Sequence, residues 1–101
     1  MPSKMPQRIE ILGCEYQIQL VDDLGDDTPD LIIEGEIDVQ RKQIAISSSK
    51  GVNREAVLLH ETIHGILAQS GLTHQLDEKL EESIVTAIEE GLFYAGYRRV
   101  V

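Results

Sequence analysis

Near residue 50 the spacing of apolar residues changes, and that change constrains the fold more than any other feature of the chain. Before it, apolar residues recur every second position: Ile9 and Ile11, then Cys14, Tyr16, Ile18 and Leu20, then Ile33, Gly35, Ile37 and Val39, then Ile44 and Ile46. After it they recur every three or four: Ala56, Leu59, Ile63, Ile66 and Leu67, then Leu76, Leu80, Ile84, Ala87, Ile88, Gly91 and Ala95. A period of two marks half-buried strands, and a period near 3.6 marks amphipathic helices. Strands first and helices second predict an α+β fold. The expected architecture is a small antiparallel sheet of three to four strands, followed by two packed α-helices on one face.

Local signals sharpen the boundaries. Residues 1–7 contain Pro2 and Pro6 and are expected to form a loose end. The alternation shifts phase at Gly13, which fits either two strands joined by a tight turn or one strand with a bulge. Residues 22–30 are acidic and turn-rich and read as an exposed loop. Residues 31–39 and 43–48 read as a hairpin around Gln40-Arg41-Lys42. Asn53 is a good N-cap for the first helix, with Glu55 in its first turn and Gly71 as a stop. The second helix is expected over residues 76–97.

Charge and length restrict the partners. The chain has 101 residues, which suits one domain spanning residues 8–101. With 18 acidic and 9 basic residues its net charge is -9. No basic stripe is present, so nucleic acid and anionic membranes are not expected to bind. No apolar run reaches the length of a membrane span, and residues 1–7 lack a signal-peptide core. A lone cysteine, Cys14, excludes an internal disulfide and is expected to pack as a small apolar residue. A reducing cytoplasm is the expected compartment.

The first helix carries His60-Glu61-Thr62-Ile63-His64. Residues four apart lie one turn apart on the same helix face, so two imidazoles can meet one metal ion. Glu61, on the adjoining face, can reach a water on that metal. Neutral nitrogen ligands, a carboxylate base and an open position are what a zinc hydrolase needs. Both histidines lie on the flank of the core stripe, where a ligand pair is partly buried yet can face a cleft. Gly65 in the helix interior costs roughly 1 kcal/mol against alanine. It signals either another backbone passing close beside the metal or simple tight packing.

A catalytic zinc normally takes a third protein ligand. Leu67 and Ser70 stand where a metzincin would have Gly and His, which excludes that class. The remaining candidates are His74 and the acids of the second helix. Glu81 has Ile84, Val85, Ile88 and Leu92 at spacings of three, four, seven and eleven, so it borders the expected apolar face, where an unpaired carboxylate is costly. Glu78, Glu82, Glu89 and Glu90 read as a solvated face. The expected order of preference is Glu81, then Glu82, then His74.

The runs Ile44-Ala45-Ile46-Ser47-Ser48, Leu58-Leu59-His60-Glu61-Thr62-Ile63-His64-Gly65 and Glu81-Glu82-Ser83-Ile84-Val85 resemble those of small phage and prophage metallopeptidase-like proteins related to the ImmA/IrrE family, and of minimal gluzincins more broadly. The resemblance covers most of residues 8–97, and His-Glu-x-x-His is its specific motif. It implies a zincin-like core, with His60, Glu61 and His64 on an active-site helix and a third ligand on a glutamate helix. It also implies that the strand before the active-site helix, here from Gln43 to Ser48, is a sheet edge able to pair with an extended peptide. The family's Asn-Glu or Glu-Ala-Asn signature is absent around Glu81, and no helix-turn-helix segment is present.

The expected chemistry is peptide hydrolysis at zinc bound by His60, His64 and Glu81, with Glu61 as general base. Tyr94, Tyr97 and His74 are weak candidates for a transition-state donor. Two other readings compete. One is a zinc-stabilised binding module without turnover, and the other is a SprT-like DNA-associated protease, which the acidic charge disfavours.

Overall fold

The computed structural model describes residues 6–22, 24, 34–49 and 51–96. Strand β1 covers Arg8–Ile11 and β2 covers Cys14–Val21. Between them Leu12 and Gly13 both have positive φ, 47° and 84°. That pair of left-handed residues is what a two-residue type I′ hairpin requires. The phase shift at Gly13 is therefore a tight turn and not a bulge.

Strands β3 (Gly35–Asp38) and β4 (Gln43–Ser47) form a second hairpin, with Gly35 opposite Ile46 and Ile37 opposite Ile44. Asp38 Oδ1 accepts the Arg41 amide at 3.0 Å, and Lys42 Nζ donates to the Val39 carbonyl at 2.7 Å. Residues 31–33, where this strand was expected to begin, lie outside the described residues. So do residues 1–5, and all of the expected acidic loop except Asp22 and Leu24.

The four strands form one sheet in the order β1-β2-β4-β3, and β4 runs parallel to β2. The α+β layout is as expected, but the sheet is mixed and not wholly antiparallel. The topology also corrects the expected edge. The strand from Gln43 is interior, and the free edges are β1 and β3. The side chains account for this order. Ile44 and Ile46 have no exposed surface and need cover from both sides, whereas β3 and its flank alternate Glu34, Glu36 and Asp38, and charge is how a free strand edge is kept from pairing indiscriminately.

Helix α1 (Arg54–Gln69) begins as expected, with Asn53 Oδ1 accepting the Ala56 amide at 3.2 Å. It buries two sides. Val57 and Leu58 join Ile11, Tyr16, Ile44 and Ile46 against the sheet, while Ile63 and Leu67 pack with Val85 of the second helix. Ile66, expected in a single core stripe, is 41% exposed because the helix is clasped between two partners. Gly65 is the point of closest approach to the sheet. A Cβ there would lie 2.7 Å from Ile11 Cδ1 and 2.9 Å from Ile37 Cδ1. Its role is tight packing of side chains, and not the close passage of another backbone.

After Gly71 (φ 87°) a short 3-10 turn, Leu72–Gln75, leads to Asp77, whose side chain accepts the Leu80 amide at 2.7 Å. Helix α2 then runs Glu78–Tyr94. Its expected buried stripe is not the buried face. Leu80 and Ile88 are 47% and 42% exposed, and Val85 is the one described α2 residue that is buried. The helix is rolled by about one residue from the expected orientation. Glu81, Glu82, Val85 and Glu89, at spacings of four and seven, therefore look toward α1.

Candidate metal centre

Two helix faces build the site. His60 and His64 stand one turn apart on α1, their ring centroids 5.0 Å apart. Facing them on α2 are Glu82 and Glu89, two turns apart, with Glu81 beside them. The fully buried Val85 fixes α2 on Ile63 and Leu67 at the height of the two rings.

Each imidazole is held by its Nδ1. His60 Nδ1–H donates to Glu89 Oε1 at 2.6 Å, and His64 Nδ1–H donates to Glu81 Oε2 at 2.7 Å. Carboxylates in that position fix the tautomer and turn Nε2 outward as the free electron pair. Both Nε2 atoms then converge on one group: His60 Nε2 lies 2.9 Å from Glu82 Oε1, and His64 Nε2 lies 2.9 Å from Glu82 Oε2. His60, His64 and Glu82 each offer a ligand atom, all within 4.8 Å of one another, and this cluster could hold a metal ion.

The chemistry of the donors makes the fit specific. With Nδ1 protonated, a neutral imidazole presents an acceptor at Nε2, and Glu82 also presents acceptors. Acceptors facing acceptors at 2.9 Å need a cation between them, either a proton on each ring or one shared metal ion. Among the described residues no Lys or Arg pairs with Glu81, Glu82 or Glu89 to neutralise them. Two nitrogens and one oxygen form a ligand set that suits zinc.

The cluster that could hold a metal ion contains Glu82 and not Glu81, the residue preferred from the sequence. Glu81 stands behind His64 on Nδ1, and Glu82 takes the position between the two Nε2 atoms. Helical phase favoured Glu81 because it borders the apolar stripe, and it is indeed the less exposed of the two, at 15% against 55% for the side chains. A ligand facing an open coordination position needs that exposure, and a supporting carboxylate does not. His74 is exposed in the 3-10 turn, and Tyr94 is exposed near the end of α2. Neither makes a hydrogen bond or ion pair with the cluster. Tyr97 lies outside the described residues. Glu89, read from sequence as solvated, is instead the partner of His60. Its seven-residue spacing from Glu82 was the signal that the two share a face.

Glu61 lies between the helix and the sheet and is only 7% exposed. Its Cγ is 3.3 Å from where a Cβ of Gly35 would stand, so the β3 backbone passes directly over it. Burial pushes its carboxyl above the usual range, and nearby Glu82 and Glu36 push the same way, against the opposing pull of His60 and His64. For His60, burial lowers the pKa, but the hydrogen bond to Glu89 and the charges of Glu61, Glu82 and Glu89 outweigh it and leave the ring more basic than usual.

Fold and site together define a small α+β protein with a His–His–Glu cluster at a helix–helix seam. Comparison with protein-family models, with curated protein sequences and with solved structures found no match. No helix among the described residues is long and apolar enough to cross a membrane.

Proposed function

We propose that the protein is a zinc-dependent peptidase of the gluzincin type, in which His60, His64 and Glu82 hold the metal and Glu61 is the general base. The observation that carries this reading is the convergence of two Nε2 atoms on one carboxylate while both Nδ1 atoms are tied behind them. When bound, zinc supplies Lewis acidity and brings the pKa of a coordinated water toward neutrality. The chain's own residues do the rest. Glu89 and Glu81 hold the imidazoles in the ligating tautomer. Glu61, buried and more basic than an ordinary carboxylate, takes a proton from the attacking water and returns it to the leaving amine, as a base tuned toward neutral pH does.

The β3 edge supports a peptide as substrate. Ser47 N–H donates to the Glu34 carbonyl at 2.7 Å, which makes Glu34, Glu36 and Asp38 the residues whose backbone faces β4. Gly35 and Ile37 then direct their backbone groups to the free edge, and Gly35 is the residue over Glu61. An extended peptide pairing there would pass the base and the metal together. The compartment we favour is a reducing cytoplasm, since Cys14 is a free thiol that accepts a hydrogen bond from Gln69 Nε2 at 3.0 Å.

A second reading has its own observation. Helix α2 fully buries only Val85 among its described residues, with Ile84 half-buried beside it, and is tied to α1 in addition through the His–Glu contacts. Zinc would then serve to dock α2, in a binding module without turnover. Metal analysis and peptide hydrolysis by wild type and Glu61→Gln separate the two. A peptidase binds stoichiometric zinc in both forms and loses about 10²- to 10⁴-fold in turnover in the variant. Undiminished turnover by Glu61→Gln sinks the mechanism, and absence of turnover in the zinc-loaded wild type favours the binding module.

A further inference from the structure

We infer that two copies of this chain pair antiparallel through the apolar face of α2 that α1 leaves exposed. The inference goes beyond the peptidase reading and does not rest on it.

Two rows of side chains make that face, each with a spacing of four. Leu80, Ile84, Ile88 and Leu92 form one, and all but the half-buried Ile84 are exposed. Ser83, Ala87, Gly91 and Ala95 form the other, and all four are exposed. Residues three and four apart are neighbours on a helix surface, so the two rows lie side by side. No charge interrupts either row, in a chain that is 27% charged. Glu82 and Glu89 reach His60 from the other flank of α2, so a partner on this face leaves the His–Glu cluster uncovered.

Gly91 is an independent sign that something packs there. Glycine is disfavoured in a helix interior. At Gly65 the reason lies within the fold, because a Cβ there would strike Ile11 and Ile37. At Gly91 a Cβ would meet nothing within 4 Å among the described residues. The close approach that Gly91 permits is therefore left for a second helix.

Charge selects the direction of that helix. Parallel copies would set Lys79 beside Lys79 and glutamate beside glutamate. Antiparallel copies about a two-fold axis set each row on the same row of the other copy. Leu80 then faces Leu92 and Ile84 faces Ile88, while the small row meets the small row and lets the backbones approach. Lys79, four residues before Ser83, comes to lie beside Glu90 and the C-terminal end of α2 in the other copy. The last turn of α2 has no basic residue of its own, and a cation is favourable there. An apolar patch of roughly a few hundred Å² marks an interaction site. Counted on both copies, this face approaches the roughly 1,000 Å² that a specific contact needs.

The test is sedimentation equilibrium of the full chain with zinc present, at about 0.15 M salt, where a Debye length of about 8 Å screens the net charge. A monomer–dimer equilibrium is expected, with a dissociation constant in the micromolar range that suits so small an interface. Leu80→Lys and Gly91→Leu should each weaken the dimer at least about 10-fold. Both positions are exposed, and leucine is a better helix former than glycine, so circular dichroism should show both variants folded. Lys79→Glu should weaken the dimer about 2- to 30-fold, and Lys79→Glu/Glu90→Lys should restore it. A chain that is still monomeric at about 1 mM overturns the inference. So does a dimer that Leu80→Lys and Gly91→Leu leave intact, or a double charge variant that pairs no more tightly than Lys79→Glu.

Discussion

Helix α1 has two interfaces, and they are built from opposite materials. Toward the sheet it meets Ile11, Tyr16, Ile44 and Ile46, all at 2% exposure or less, in a dry cluster. Toward α2 it meets a smaller apolar cluster, Ile63 and Leu67 against Val85 with Leu59, Leu76 and Ile84 at its margin, and beside it two imidazoles facing three glutamates. The first interface is held mainly by apolar burial, which needs neither protons nor metal, with Glu61 the one buried ionisable group beside it. The second calls for protons or a metal ion, because among the described residues its carboxylates pair with no Lys or Arg. One helix thus serves as the rigid wall of the fold and as half of a site whose order depends on what it binds.

The largest expected effect tests the dry side. Ile44→Ala removes a wholly buried side chain from the sheet centre and should cost about 2–5 kcal/mol in urea unfolding. The loss should be the same with zinc and with chelator, since Ile44 belongs to the apolar cluster on the sheet side of α1. A loss much larger in one condition would show that the two interfaces are a single cooperative layer.

The wet side is tested by its supporting carboxylates. Glu89→Gln and Glu81→Gln leave the ligand atoms in place but loosen the Nδ1 hold on His60 and His64. Each should weaken zinc binding about 10- to 100-fold in a competition titration. Glu82→Gln should weaken it further, as a direct ligand. Equal effects at Glu81 and Glu82 would erase the distinction between support and ligand that the geometry draws.

Protons and metal should act on that interface in opposite directions. In metal-free protein the His60 pKa is raised, so its contribution to stability is full below about pH 6.5, the ordinary histidine value, and is lost as pH rises through the folded value. Glu61 adds a change of the same sign, since its buried carboxyl is also more basic when folded. Metal-free protein should therefore melt at lower temperature as pH rises from about 5.5 to 8. Zinc needs neutral imidazoles, so its stabilisation should grow over that window. Melts with zinc and with chelator should diverge as pH rises, and parallel curves would mean that the histidines do not bind the metal.

The same contrast explains what the sequence could reveal. The strands, the second hairpin, the Asn53 cap and the His60–His64 pair were legible because each follows from local spacing or one residue's conformational preference, whereas at Gly13 the sequence left turn and bulge open. Strand order was not, because nothing local tells Gln43–Ser47 that the β3–β4 hairpin lies beside β2 with β4 inward. The alternating acids Glu34, Glu36 and Asp38 were a signal for the edge, which the sequence-based expectation placed at Gln43–Ser48 instead. The roll of α2 was hidden for a related reason. Apolar periodicity points a helix at a hydrophobic partner, but the α1 face here sets two imidazoles beside Ile63 and Leu67. The face that turns inward therefore carries Glu81, Glu82 and Glu89 around a single valine.

The smallest expected effects concern that misdirecting stripe. Val85 is fully buried and touches α1, while Ile88, one turn further on the stripe expected to be buried, is 42% exposed. Val85→Ala should cost about 1.6 kcal/mol from the loss of two buried carbons. Ile88→Ala removes more atoms from a site still open to water, and the gain in helix propensity offsets part of the loss. Its cost should be under about 1 kcal/mol, with zinc affinity unchanged. Denaturant unfolding of both variants in zinc gives the comparison directly. If Ile88→Ala is the more damaging, α2 is rolled the other way, its apolar stripe facing α1. That roll would carry Glu82 and Glu89 away from the histidines, and the site would go with it.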